Sequence, residues 1–319
     1  MDVPPRLDRR SLILGSAALA ACACSKSGPP APGTTGPAPG PPPPGGAWST
    51  ASFAVGPDTP EGERAFLLDP WAGASPAVAP DARPLLLALH GRGEAGRGLD
   101  VGAAAWPNDY QLDRVHRRLL APPLTARDLL EMTSPERLAK LNASLAAAPY
   151  RGLGLACPYT PHLDDPSVEG SRPFGRFLVE QLLPRLRSET GSQVDRRATG
   201  IDGVSMGGRL ALFVGLTHPE VFGVVGVLQP AIKIEEAPLI SALARAAMAK
   251  APVRLRLVTS EEDYFLPAVR AASERLHADG VEHELLVVPG THGYDFNRGP
   301  GGADMLLWHE RVQRGLPAP

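Results

Sequence analysis

Residues 198–210 read ATGIDGVSMGGRL, an apolar β-like approach, then Gly203-Val204-Ser205-Met206-Gly207-Gly208, then a helix-like run. A serine held on a sharp turn between a strand and a helix has this layout. The turn is so tight that its central residue takes a strained backbone conformation, so small neighbours at Gly203 and Gly207 have a steric purpose. Ser205 is therefore the first candidate nucleophile. The competing reading is a glycine-rich turn that carries an idle serine, and the rest of the chain has to decide between the two.

Short apolar runs recur on both sides of this turn, at residues 52–55, 64–68, 85–89, 152–157, 199–204, 224–228, 255–259 and 284–288. The later runs alternate with helix-like stretches, which predicts a parallel sheet with helices on both faces. The first two runs lie too close together for a crossover and predict an antiparallel edge. Eight strands in this order predict an α/β fold of the α/β-hydrolase type. A helix with apolar positions Phe174, Phe177, Leu178, Leu182 and Leu186 is expected to cover one face before the nucleophile strand. Between the third and fourth strands, residues 93–150 exceed an ordinary connection, and connections of that length usually have a function. Two readings stay open: a cap that shapes a substrate pocket, with Trp106 and Tyr110 near its mouth, or a helical excursion packed on the sheet.

The N-terminal residues carry a different message. Arg9 and Arg10 precede an apolar run of about 10 residues ending at Leu19-Ala20-Ala21-Cys22, too short for the roughly 20 residues of a membrane span. Residues 1–21 therefore read as a twin-arginine export signal. Cys22 reads as a lipidation site, which predicts an exported lipoprotein held to a membrane of the cell envelope. An ordinary signal peptide with an incidental cysteine is the alternative. Residues 22–47 are then a Pro/Gly-rich tether with nothing to bury, and residues 48–319 are the folded domain.

Lys and Arg number 32 against 34 Asp and Glu, a formal charge of −2, so no electrostatic footprint for nucleic acid is present. The expected partners are a small-molecule or polymer-linked substrate and, through Cys22, a membrane. The folded part holds one cysteine, Cys157, which excludes an internal disulfide and a Cys-based metal site there. It reads as a buried small hydrophobe. No metal or cofactor is expected.

A serine hydroxyl needs a base, and the base needs an acid that fixes its tautomer. In this fold the chain order is serine, acid, histidine. His292 lies on the loop after the last strand, between Pro289-Gly290-Thr291 and Gly293, and is the expected base. His218, His277 and His283 suit capping or surface roles. His116 and His162 lie upstream of the serine, although His162 could touch substrate. His309 is expected on a C-terminal helix, exposed or at the edge of the core. For the acid, Ser260-Glu261-Glu262-Asp263-Tyr264-Phe265-Leu266 follows the strand that ends at Thr259. Asp263 is the expected acid and Glu262 the alternative. The oxyanion is assigned to the backbone amides of Met206 and of Gly91 or Arg92, in the turn His90-Gly91-Arg92-Gly93-Glu94.

With these motifs in place, residues 50–312 resemble the esterase D-like and feruloyl esterase-like families of α/β-hydrolases. The stretches GVSMGG, LLLALHGRG, TSEEDYFL and PGTHGYDF carry the likeness. The resemblance implies hydrolysis of carboxylic esters through a Ser205, His292 and Asp263 triad and an acyl-enzyme. An acyltransferase with the same triad, or a catalytically silent cell-surface binding module, are the alternatives. The long segment 93–150 departs from the compact members of these families.

Overall fold

In the computed structural model the described residues are 46–73 and 78–319. The arginine pair, Cys22 and the proline-rich stretch through residue 45 lie outside them. Eight strands form one sheet: β1 (Ala47–Phe53), β2 (Glu63–Asp69), β3 (Leu85–Leu89), β4 (Gly154–Pro158), β5 (Thr199–Gly203), β6 (Val224–Leu228), β7 (Arg254–Glu262) and β8 (Glu284–Thr291). Their spatial order is β1-β2-β4-β3-β5-β6-β7-β8. β1 pairs antiparallel with β2, and β2 with β4. The remaining pairs are parallel. This is the α/β-hydrolase sheet. Every residue of β3, β4, β5 and β6 is buried, as expected of parallel strands with helices over both faces.

The first strand differs from the expectation. It spans Ala47–Phe53 rather than residues 52–55, because Ala47 through Phe53 pair in sequence with Asp69 through Glu63. The chain has already turned at Gly56 and Thr59, whose backbones bond to each other.

Helices fill the connections. Between β3 and β4 come α1 (Arg92–Ala95), α2 (Leu99–Ala103), α3 (Leu112–Leu119) and α4 (Pro135–Ala147). Between β4 and β5 lie α5 (Arg172–Phe177) and α6 (Leu183–Thr190), joined by one wider turn at Leu178–Leu182. Then follow α7 (Met206–Thr217) after β5, α8 (Ala237–Lys250) after β6 and α9 (Leu266–Ala278) after β7. Beyond β8 lie α10 (Tyr294–Phe296) and α11 (Gly302–Gln313).

The alternation within the strands sorts these helices onto two faces. Leu85, Leu87 and Leu89 point into a core shared with Phe174, Phe177, Leu210, Phe213, Ile240 and Val269. Leu86 and Ala88 point the other way, into a core with Leu112, Leu119, Leu141, Leu145, Leu306 and Leu307. Most of the long connection after β3 is therefore a layer laid on the sheet together with α11. Cys157 is part of this second core, and burial pushes its thiol pKa up, as a packing residue requires. Among the described residues, no helix is long and apolar enough to cross a membrane.

Candidate active site

Ser205 sits between β5 and α7 with φ 57° and ψ −117°, a conformation that L-residues rarely hold without support. The support is visible. The Ser205 amide donates to the Leu228 carbonyl at 2.9 Å, and its own carbonyl accepts from Ala231 at 2.9 Å and Arg209 at 3.0 Å. A Cβ on Gly203 would lie 2.5 Å from the Gly207 carbonyl oxygen. One on Gly207 would lie 2.5 Å from the Leu89 carbonyl oxygen and nearer still to that of His90. Only glycine fits at either place, which is the physical content of the pattern around the serine.

Asp263 and His292 arrive together because of sheet register. Past a bulge between Ser260 and Glu262, β7 and β8 stay paired until Glu262 faces Thr291. The next residues, Asp263 and His292, then leave the sheet edge side by side. His292 Nδ1 lies 2.9 Å from Asp263 Oδ1, and His292 Nε2 lies 3.1 Å from Ser205 Oγ. Asp263 is buried, and its carboxylate is fully engaged: Oδ1 also accepts from the Phe265 amide at 3.0 Å, and Oδ2 from the Thr259 hydroxyl at 2.6 Å. Glu262, the alternative acid, is exposed at the strand end.

The turn after β3 closes the other side of the serine. A Cβ on Gly91 would lie 3.7 Å from that of Ser205. His90 is fully buried and locks this turn, with Nδ1 2.9 Å from the Gly91 carbonyl and Nε2 accepting from the Thr160 amide at 2.8 Å. Burial lowers its pKa to about 4, so the ring is neutral, as one donating and one accepting nitrogen demand. The Gly91 amide donates to the Tyr110 hydroxyl at 3.3 Å. Arg92 and Met206 open α1 and α7, where first-turn amides have no carbonyl of their own helix to bond.

A cavity of about 250 Å³ lies over Ser205 and His292, lined by Gly91, Arg92, Glu94, Tyr110, Tyr264 and Tyr294 among others. The Tyr264 ring packs at a tilt against the histidine, with ring centroids 4.3 Å apart. Glu94 is buried, and its two oxygens accept from the hydroxyls of Tyr110 at 2.6 Å and Tyr294 at 2.5 Å. That hydrogen bond, with burial, raises the Tyr294 phenol to about 12.

Of the residues expected to shape the pocket, only Tyr110 lines the cavity. Trp106 is fully buried behind it, edge-on to the Tyr110 ring at 4.8 Å. His162 is exposed and away from the lining. His309 also differs from the expectation: it is fully buried on α11, with Nε2 3.0 Å from Asp202 of β5 and Nδ1 3.1 Å from Gln313. Only the packing of α11 on β5 creates this polar contact, and no local pattern around His309 signals it. His218 and His283 bond nearby carbonyls in capping fashion. Glu94 and Tyr294 went unrecognised in the sequence, and the only signal was their place in the two motifs that flank the serine in space. Among the described residues, no group of three or more His, Cys, Asp or Glu could hold a metal ion.

Residues 158–296 match the family model described as "Putative esterase". That stretch holds Ser205, Asp263 and His292. No curated protein sequence matches the chain. Among solved structures, a ferulic acid esterase superposes with TM-score 0.59 at 15% identity over 83% of this chain and 98% of that one. The apoenzyme of S-formylglutathione hydrolase (FrmB) from Staphylococcus aureus gives 0.56 at 14% identity, over 83% and 98%. The ferulic acid esterase AmCE1/Fae1A from Anaeromyces mucronatus gives 0.52 at 15% identity, over 85% and 92%. At these identities the likeness speaks to the fold, and it agrees with the sheet order.

Proposed function

We propose that this protein is a serine carboxylesterase that works through Ser205, His292 and Asp263. The observation that carries the reading is the continuous contact chain from Ser205 Oγ through both ring nitrogens of His292 to the buried Asp263. With the Asp263 carboxylate accepting from Nδ1–H, Nε2 is left bare to take the hydroxyl proton as Ser205 attacks the ester carbonyl. The carbonyl oxygen becomes an oxyanion, held by the amides of Arg92 and Met206. Because the Gly91 amide is given to Tyr110, Arg92 is the donor on that side. The imidazolium then protonates the departing alcohol as the tetrahedral intermediate collapses to the acyl-enzyme. Water enters, gives its proton to Nε2, and attacks the acyl carbon. The second collapse breaks the Ser205 ester bond, and the proton returns to Oγ.

Residues 1–21 are proposed as a twin-arginine export signal, and Cys22 as the lipidated residue that tethers the enzyme to a membrane of the cell envelope. The reading rests on the arginine pair, the short apolar run and the cysteine that follows it.

The function is tested on p-nitrophenyl esters from acetate to decanoate and on methyl ferulate, with Ser205→Ala as control. Ser205-dependent release of acid is expected. Transfer of the acyl group to an added alcohol in preference to water would replace the esterase with a transferase, and no turnover on any ester would favour a silent binding module.

A further inference from the structure

Two loops far apart in the chain must be held in one relation for the proposed chemistry. The turn after β3 brings the Arg92 amide, and the loop after β8 brings His292. A carboxylate close to a developing oxyanion would by itself oppose the reaction, so the buried Glu94 needs an explanation.

Its bonding supplies one. Glu94 belongs to the first loop, and Oε1 accepts from Tyr294, two residues past His292, at 2.5 Å. Its Oε2 accepts from Tyr110 at 2.6 Å, and the same Tyr110 oxygen accepts from the Gly91 amide at 3.3 Å. A carboxylate is acceptor-only, so both phenols must donate to it, and each bond is charge-assisted. Both phenols are also held from behind. Tyr110 packs edge-on to the buried Trp106, while the Arg298 guanidinium lies 5.4 Å from the Tyr294 ring centre and donates from Nε to the Asp109 carbonyl at 2.7 Å. The two tyrosine rings are 5.7 Å apart.

We propose that Glu94 is a positioning residue: through the hydroxyls of Tyr110 and Tyr294 it clamps the oxyanion turn to the histidine loop and fixes the distance between them. The kinetic part of this inference rests on the esterase reading; the structural part does not. The competing role for the same carboxylate is direct recognition of a cationic substrate.

The test uses Glu94→Gln, Tyr294→Phe and their combination, each confirmed folded by circular dichroism. In the Gln variant one phenol keeps an oxygen to donate to while the other must turn to accept from the amide NH2, and both links lose the charge that strengthens them, so the clamp is weakened. The expected result is a kcat on a neutral acetyl ester lowered ~10- to 100-fold, since small misplacements of reacting groups cost about that much. KM should stay within about threefold, with the same pattern on a choline ester. In the Glu94→Gln background, Tyr294→Phe should add less than it does alone, because both cut the same link. Amide hydrogen exchange should speed up in residues 90–96 and 290–297 together in each variant. A KM effect confined to the cationic ester would overturn the clamp in favour of recognition, and unchanged exchange in both segments would overturn it outright. If the wild-type protein hydrolyses no ester, the esterase reading fails while exchange still judges the clamp. If Glu94→Gln does not fold, Tyr294→Phe, at a residue 43% exposed, carries both readouts.

Discussion

Replacing Asp263 with asparagine separates the charge of the acid from its geometry. In the wild-type protein, Oδ1 accepts from His292 Nδ1 at 2.9 Å and from the Phe265 amide at 3.0 Å, while Oδ2 accepts from the Thr259 hydroxyl at 2.6 Å. An asparagine oxygen at the Oδ1 position keeps the first two bonds. Its NH2 group then faces Thr259, whose hydroxyl can turn from donor to acceptor. The opposite orientation would set the NH2 group against two donors, so the histidine tautomer should survive. What is lost is the attraction between carboxylate and imidazolium. For charge centres about 4 Å apart at an effective dielectric near 20, that is ~4 kcal/mol. At 1.4 kcal/mol per decade, the expected drop in kcat is ~10³-fold, short of the ~10⁴-fold seen when an asparagine forces the wrong tautomer. Steady-state kinetics on p-nitrophenyl acetate would read it, with the melting temperature as a check on folding. Glu262→Gln, at an exposed position, should change kcat less than about twofold. A drop of under tenfold for Asp263→Asn, or an equal drop for Glu262→Gln, would refute the assignment.

Gly207→Ala should lose on the order of 1–3 kcal/mol of stability and most of its activity, because the new Cβ meets the backbone carbonyls of Leu89 and His90; an unchanged melting temperature would contradict this. Glu63 is buried and desolvation raises its pKa to about 8. A raised carboxyl pKa means the stabilising state exists in full below the unfolded value near 4.5 and is lost as pH rises through 8. Glu63→Gln should therefore match the wild type near pH 5 and melt higher above pH 8, by as much as ~3–5 kcal/mol of stability; parallel melting curves at both pH values would contradict the reading. Cys22→Ala should move the protein from the membrane fraction to the soluble one, and unchanged fractionation would remove the lipid anchor.

How much of this was legible in the chain depended on range. The elbow could be read because its constraint is local: Gly203 and Gly207 are dictated by backbone carbonyls within a few residues of Ser205 or on the adjacent β3. Strands β3, β4 and β6 could be read because burial on both faces makes them continuous apolar runs, while β5, with its buried Asp202, was read from the elbow that follows it. Strands β7 and β8 appeared shorter than they are. The extra residues, Ser260-Glu261-Glu262 on β7 and Pro289-Gly290-Thr291 on β8, are polar or turn-forming and are set by pairing across the sheet and a bulge, which no single segment encodes. Asp263 and His292 could still be singled out, since chain order alone places them after those strands, and the structure brings the two side chains together. Long-range polar contacts were not legible. Glu94 drew no reading of its own in the turn after β3, yet it bonds a tyrosine 200 residues away. His309 was expected to be exposed or at the edge of the core, yet it is fully buried against Asp202 of β5. Residues 93–150 could be read as cap or as layer because the pattern of a helix facing a sheet is the same in both; Leu112, Leu119, Leu141 and Leu145 pack as a layer on the sheet, while Glu94 and Tyr110 of the same segment line the cavity.

The central claim is that Ser205 becomes acylated and that water removes the acyl group. Rapid mixing with p-nitrophenyl acetate, followed by intact mass and peptide mapping, tests it most directly. Expected are a burst of p-nitrophenol equal to the enzyme present, one acetyl group on the peptide containing Ser205, and neither signal in Ser205→Ala. Turnover without an adduct, or an adduct that persists in Ser205→Ala, would contradict it.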